Sequence, residues 1–326
     1  MVNLDNDRQV HESVLSEEVI KALGLPAHLN KDDSVDKPRY IDATLGLGGH
    51  SVEIIKRGGK VLGIDVDENA IKIAESKLKE VLRAKSLTGL EACPTPYQDS
   101  KEFFTLVIGN FIHIDEIARS YGFTNVDGIL FDLGISTPQL SSSTRGFSFQ
   151  NKAATLDMRF NPKVQGVTGF DLLNSLNKRQ LQELFEITLP KYISRKLAGE
   201  IIDRRRQTPF KTVGDFIGVI VKTVHGKEKI NIATLPFLAL RIAVNSELVN
   251  LKESLPRAFS LLKPKGRLVV ISFHSKEDVI VKKFYLEKES DGQAKILTQK
   301  PIIPKDTEIH RNPKSRSAKM RVLEKI

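Results

Sequence analysis

Hydrophobic positions along this chain fall into short apolar runs alternating with stretches of helical spacing, a pattern that predicts an α/β fold. Arg39 to Ile41 reads as the first firm strand and leads into Asp42-Ala-Thr-Leu-Gly46-Leu-Gly48-Gly49-His50. Ser51 to Arg57 carries apolar residues at helical spacing, Lys60 to Ile64 is a second apolar run ending on Asp65, and a helix is expected from about Glu68 to Leu82. Residues 84–109 are irregular, with Pro94 and Pro96 marking a loop before a strand over Thr105 to Ile108. A helix from Asp115 to Tyr121 then precedes Val126 to Phe131, an apolar strand closing on Asp132.

The pattern changes after Leu140. A polar loop leads into a helix-rich region from Gly169 to Lys229, with Pro190 and Pro209 as breaks. Leu235 to Leu262 reads as a long helical stretch broken near Pro236 and Pro256. Lys263-Pro-Lys-Gly266 turns the chain, and Arg267 to Ile271 is a strand running into Ser272-Phe-His274. The expected architecture is α/β: a Rossmann-like core formed by residues 1–140 and 231–326, interrupted by an all-helical insert over 141–230 and finished by a basic tail.

Composition narrows the classes. No apolar run approaches the ~20 residues that span a bilayer, and the first residues have neither a secretory nor a transit-peptide pattern, so a cytoplasmic protein without membrane partners is expected. Cys93 is the only cysteine, which leaves no intramolecular disulfide, and no His/Cys/Asp/Glu set has metal-ligand spacing. The net charge is +10. Lys191 to Lys229 holds ten Lys/Arg against four Asp/Glu, and Arg311 to Ile326 holds six against one. Charge gathered into two stretches points to a polyanion-binding face, although solvated helix surfaces would carry the same residues.

The glycine turn points to an adenosine cofactor. Gly46, Gly48 and Gly49 follow a strand and open a helix, and Asp65 at the end of the next strand suits the two ribose hydroxyls. The third glycine of a dinucleotide site is missing, because Gly46-x-Gly48-x-x reaches Ser51. His50 also occupies the turn that would face a pyrophosphate. S-adenosylmethionine, which has no phosphate, fits better.

Asp132 closes an apolar strand and is followed by Ser136, Thr137, Pro138 and Gln139. Such a loop suits methylation of a base amino group, whose lone pair must be localised by acceptors for its hydrogens. Asp132 and the Thr137-Pro138 backbone are candidates, with service to the cofactor's methionine part open for Asp132. His274 is a weaker catalytic candidate on the rim, and Asp157 and Arg159 either pair with each other or touch RNA.

Together these segments resemble the RsmH (MraW) family of bacterial methyltransferases that make N4-methylcytidine in small-subunit ribosomal RNA. The resemblance rests on His11-Glu-Ser-Val-Leu15, Tyr40 to Ser51, Gly63-Ile-Asp65, Asn110-Phe111 and Val126 to Gln139. It continues through Arg145-Gly-Phe-Ser-Phe149, Leu156-Asp-Met-Arg159, Ile271 to Ser275, Glu277-Asp278 and Asn312 to Lys319. Leu45 and Leu47 depart from it, standing where the family often has an aromatic and a basic residue.

The resemblance implies that Gly48, Gly49, His50, Asp65, Phe111, Asp132 and Gln139 line an S-adenosylmethionine pocket, with Phe111 against the adenine. It implies a decoding-centre cytidine of 16S rRNA in the small ribosomal subunit as substrate, and not DNA. Arg145, Arg159, Arg204, Arg205, Arg316 and Lys319 are the residues expected to hold that RNA. Oligomeric state stays open, a homodimer included. Two competing classes are a nicotinamide-dependent oxidoreductase and a non-catalytic ribosome-assembly factor.

Overall fold

The computed structural model describes residues 13–25, 37–87, 102–135, 139–140, 144–224 and 231–326. His11, Cys93, Ser136, Thr137 and Pro138 lie outside the described residues, as do residues 88–101 of the irregular stretch. The chain divides into two compact units, Met1–Gly134 with Asn250–Ile326, and Ile135–Val249.

Among the described residues, seven strands build the first unit: β1 (Arg39–Asp42), β2 (Lys60–Asp65), β3 (Phe104–Ile108), β4 (Val126–Asp132), β5 (Leu262–Ser272), β6 (Ala294–Ile296) and β7 (Lys319–Lys325). They lie side by side in the order β3-β2-β1-β4-β5-β7-β6. The first five are parallel, in a register that sets Ile41 beside both Leu62 and Ile129, and Asp132 beside Ile271. β7 runs antiparallel to β5 and to β6.

The inner strands read as continuous apolar runs because both faces are covered. Ile129 and Phe131 pack into one core with Leu268, Val270 and Phe123. Leu130 points the other way, with Val269, Ile271, Tyr40 and Val322. This is the period-two alternation of a strand divided between two buried layers. Helices α1 (Ser16–Ala22), α2 (Gly49–Lys56), α3 (Glu68–Leu87) and α4 (Ile114–Ser120) precede β4 in the chain.

The second unit is helical: α5 (Gly169–Ser175), α6 (Lys178–Glu186), α7 (Lys191–Gln207), α8 (Val213–Thr223) and α9 (Thr234–Asn245). Thr168, Asn177 and Thr212 start α5, α6 and α8 with reciprocal capping boxes to Asp171, Gln180 and Asp215, satisfying donors that a helix N-terminus otherwise leaves free. Its core gathers Leu181, Phe185, Phe210, Phe216, Phe237 and Leu240. Because Phe237, Leu240 and Val244 of α9 belong to that core, the unit runs over 135–249, wider than the insert expected over 141–230.

Two local expectations change. The helical stretch near 235–262 does not break at Pro256, which sits inside α10 (Glu247–Leu261) on a water-facing position. A proline there frees the carbonyl of Lys252, and that exposed position lets water satisfy it. The break falls at Ser246, the left-handed residue (φ 52°) that ends α9. Lys263–Gly266 does deflect the chain, as a bulge within β5: Leu262 pairs with Val126 and Arg267 with Gly128.

The larger correction concerns the basic tail. After α11 (Ser275–Ser290), β6 and α12 (Asp306–Arg311), the tail closes as β7, an interior strand with Met320, Val322 and Leu323 buried. Arg321 is also buried, donating from Nε and Nη2 to the two oxygens of Asp278 at 2.6 and 3.1 Å. Lys325 donates to the carbonyls of Leu262 and Phe259 at 2.7 and 3.4 Å. Those two cations serve the sheet, so the tail's contribution to a polyanion face lies upstream of them.

Candidate active site

The strand order reverses between β1 and β4, and open α/β sheets bind ligands beyond the carboxyl ends of strands at such a point. Three adjacent strands end there on carboxylates: β1 on Asp42, β2 on Asp65 and β4 on Asp132. The glycine turn lies between the first two. Gly46 (φ 51°) and Gly48 (φ 73°) both occupy the left-handed region, Gly48 as the residue that starts α2. A Cβ placed on Gly46 would meet only the Thr44 carbonyl, 3.9 Å away, so this side of the turn is open. One placed on Gly49 would fall 1.9 Å from the Ser13 hydroxyl, so Ser13 closes the other side.

Asp65 is held by backbone donors. Gly46 N–H donates to Oδ2 at 2.7 Å and Asp67 N–H to Oδ1 at 2.8 Å. Burial nevertheless pushes its carboxyl up to about 6, outweighing those two donors. Asp42 is deeper, with the Ser51 hydroxyl donating at 2.7 Å, and burial holds its carboxyl above the usual range as well.

His50 and Asp132 form the centre of the site. His50 is buried in the first turn of α2, with Nε2 3.4 Å from Asp132 Oδ2. Burial pulls the imidazole down, but Asp132, Asp42 and Glu308 together raise it above its ordinary value. Asp132 N–H donates to the Thr44 hydroxyl at 2.6 Å, which fixes the strand end. Among the described residues neither His50 nitrogen makes an aligned hydrogen bond, and Asp132 Oδ1 is a buried acceptor without a donor. Buried polar atoms are normally satisfied, so these atoms call for a ligand's polar group.

These residues suit an adenosyl amino-acid cofactor. Asp65 would take the ribose hydroxyls, the open glycine turn admits a close approach, and the orphaned Asp132 oxygen would accept from an amino or ammonium group. Phe111, missed by reasoning from the residues alone, opens a short 3-10 turn after β3, and its partly buried ring meets Phe131 edge-on at 5.6 Å. Asp42, Thr44, Ser51 and Glu308 were also missed as site residues. Asp42 had the same signal as Asp132, a carboxylate closing an apolar strand. Glu308 had none: it reaches the site through the fold, accepting the Leu15 N–H at 2.8 Å beside Ser13.

His274 starts α11, its Nδ1 accepting the Glu277 N–H at 3.4 Å, while Glu277 accepts the Phe273 and His274 N–H groups. Gln139 is buried in the second unit. Arg145 of that unit donates to the carbonyls of Arg159 and Phe160, and Arg159 grips Asp157 with two bonds of 2.7 and 2.8 Å. Arg204 pairs with Asp215 at 3.2 Å, and Arg205 donates to the Leu173 carbonyl. All four arginines are internal ties, and RNA would meet guanidinium groups already bonded. Along α7, Lys191, Arg195 and Lys196 are exposed around Tyr192, which is 76 % exposed, and these three cations have no ion-pair partner among the described residues. An aromatic side chain interleaved with basic ones was the available signal.

The parallel sheet with antiparallel β7 let in beside β5, the glycine turn and the strand-end carboxylates define an S-adenosylmethionine-dependent methyltransferase fold of the Rossmann-like class. The chain belongs to the MraW methylase family, which it matches over residues 8–326. It is 41 % identical over 300 residues to ribosomal RNA small subunit methyltransferase H of Methylacidiphilum infernorum, with 88 % of each chain covered. Against the protein of the same name from Dehalococcoides mccartyi it is 39 % identical, over 97 % of this chain and 86 % of that one. Among solved structures, an rRNA methylase from Streptococcus thermophilus aligns with a TM-score of 0.39 at 12 % identity, covering 89 % of this chain and 88 % of that one. No described helix is long and apolar enough to cross a membrane.

Proposed function

We propose that this protein methylates the exocyclic N4 of a decoding-centre cytidine in 16S rRNA, using S-adenosylmethionine. The observation that carries this reading is the buried Asp132 Oδ1 at the carboxyl end of β4, beside His50 and without a donor among the described residues. The names carried by the relatives supply the substrate class. Bound S-adenosylmethionine supplies a methyl group on a good sulfur leaving group.

The chain's own residues do the rest. Asp65 accepts from the ribose hydroxyls, Phe111 offers its ring to the adenine, and Gly48, Gly49 and His50 border the amino-acid end. Gln139 is assigned to the cofactor on the family resemblance alone. Asp132 accepts a hydrogen of the cytidine amino group, which turns the nitrogen lone pair out of conjugation and toward the methyl carbon. Its negative charge also stabilises the positive charge that grows on that nitrogen as the sulfur leaves, until one of the amino hydrogens departs as a proton and gives neutral N4-methylcytidine. Pro138, following Thr137, would keep the neighbouring carbonyl in position as a second acceptor. A cytidine stacked within rRNA must first swing out to reach these groups.

The deciding experiment is transfer from labelled S-adenosylmethionine to small subunits taken from cells lacking this protein, with the product nucleoside identified by mass spectrometry. N4-methylcytidine is the expected product. A different methylated nucleoside overturns the substrate assignment. Binding to subunits without turnover would make the protein an assembly factor.

Asp65 adds a pH signature. Its free carboxyl titrates near 6, and ribose hydroxyls donate to the ionised form, so cofactor binding favours loss of the proton. The Asp65 contribution to affinity should therefore be level above about pH 7 and fall up to about tenfold per pH unit below 6. Calorimetric titration across pH 5 to 8 checks this, and the slope below pH 6 should be shallower in Asp65→Asn, leaving the contribution of His50.

A further inference from the structure

One cleft of the first unit plays no part in the chemistry above. It has a volume of about 300 Å³, at the small end of ligand pockets. Phe273, His274, Ile303, Pro304, Arg316 and Lys319 line it. It opens where β5 ends and β7 begins, at the paired residues Ser272 and Lys319. β5 lies next to β4, with Ile271 in register with Asp132, so the cleft and the reactive carboxylate share one edge of the sheet on neighbouring strands.

Its chemistry is two-sided. The wall is apolar: Pro304 is buried, the Phe273 ring is half-buried, and Ile303 is left 63 % exposed. The rim is cationic, and no carboxylate lines it among the described residues. Arg316 is exposed and has no ion-pair partner among the described residues. Lys319 stands 3.7 Å from Asp278, whose two oxygens already bond Arg321 at shorter range. At the inner end His274 is fixed by the start of α11: Nδ1 accepts from Glu277, while buried Nε2 lies 3.1 Å from Glu277 Oε1 without an aligned bond.

An apolar wall with an aromatic ring and a rim of cations match one nucleotide of single-stranded RNA. We propose that this cleft holds a nucleotide flanking the target cytidine, its base against Phe273 and Ile303 and its phosphate on Arg316 and Lys319. On this reading His274 is a positioning residue that starts α11 at the inner end of the cleft. The inference rests on the rRNA reading of the active site and extends it to a second nucleotide.

The test uses the full chain carrying Arg316→Gln and Ile303→Ser, both at exposed positions. With small subunits as substrate, KM should rise about tenfold in the double variant, with kcat at saturation and cofactor affinity within twofold of wild type. For Arg316→Gln alone, the slope of log affinity for a short single-stranded RNA against log salt should shrink by about one. A 4-thiouridine placed next to the target should crosslink to the peptide containing Phe273.

If wild type methylates subunits while the variants match it in KM, salt slope and crosslinking, the subsite is overturned and the proposed function stands. If wild type transfers no methyl group, the proposed function fails. RNA affinity and crosslinking then decide the cleft separately: weakened binding in the variants supports it and unchanged binding overturns it. Protection of the cleft by an acidic peptide but not by RNA would also overturn it.

Discussion

Asp132→Asn should lower kcat for methyl transfer on the order of a hundred- to a thousandfold, with the cofactor's dissociation constant changed by less than tenfold. The amide is nearly isosteric but replaces one acceptor with a donor and removes the charge. Thr44 would still hold the backbone of the strand end, because that bond runs from Asp132 N–H. What disappears is the buried acceptor proposed to face the reacting amino group, together with the anion 3.4 Å from His50. Single-turnover transfer and calorimetric cofactor binding separate two roles for this carboxylate. A large rise in the dissociation constant, with kcat restored at saturating cofactor, would assign Asp132 to the cofactor's amino-acid end. A loss confined to kcat assigns it to the base.

The second large effect concerns stability. Arg321→Ala should destabilise the fold by roughly 3–5 kcal/mol, because it leaves the carboxylate of Asp278 buried without its two guanidinium bonds. Lys319, at 3.7 Å, softens the loss without replacing it. The double change Arg321→Met with Asp278→Leu should recover most of the deficit, since two apolar side chains of similar size need no partner. Urea denaturation of the three proteins measures this. A single variant within about 1 kcal/mol of wild type would mean that water enters the site and that the pair contributes little.

The same pair explains what could be read in the sequence. β1, β2 and β4 were legible because each is a run of apolar residues ending on a carboxylate, and the glycines between Asp42 and His50 mark a turn that few other structures need. β7 was not. Lys319-Met-Arg-Val-Leu-Glu-Lys325 looks like part of a cationic tail, and only Asp278, on a helix remote in sequence, makes Arg321 compatible with an interior strand. The insert's boundary was hidden for a related reason. α9 is apolar enough to join either unit, and tertiary packing against Phe185 and Phe216 places it in the second.

Candidate site residues follow the same division. Asp65, His50 and Asp132 could be found because they sit in or beside the local motif. Glu308 could not, because its contact with Leu15 joins parts of the chain that no local pattern connects. His274 was legible as a polar residue at a strand end, but its capping role was obscured, since histidine is not among the usual residues that start helices. The arginines of the second unit show the limit of charge counting. Arg145, Arg159, Arg204 and Arg205 contribute to the basic total, yet each is bonded to its own unit.

The pairing of β4 with β5 also governs how the protein comes into being. Asp132 and Ile271 sit side by side in the sheet, but the whole second unit is translated between them. At the usual pace of protein synthesis β4 emerges on the order of ten seconds before its partner, and β7 later still. Throughout that interval the apolar strand Val126–Asp132 is an open edge able to pair with any extended segment nearby. The nascent half-sheet is therefore the stage at which this chain most needs a chaperone, and slowing translation across residues 135–249 should increase its aggregation more than slowing it after residue 272.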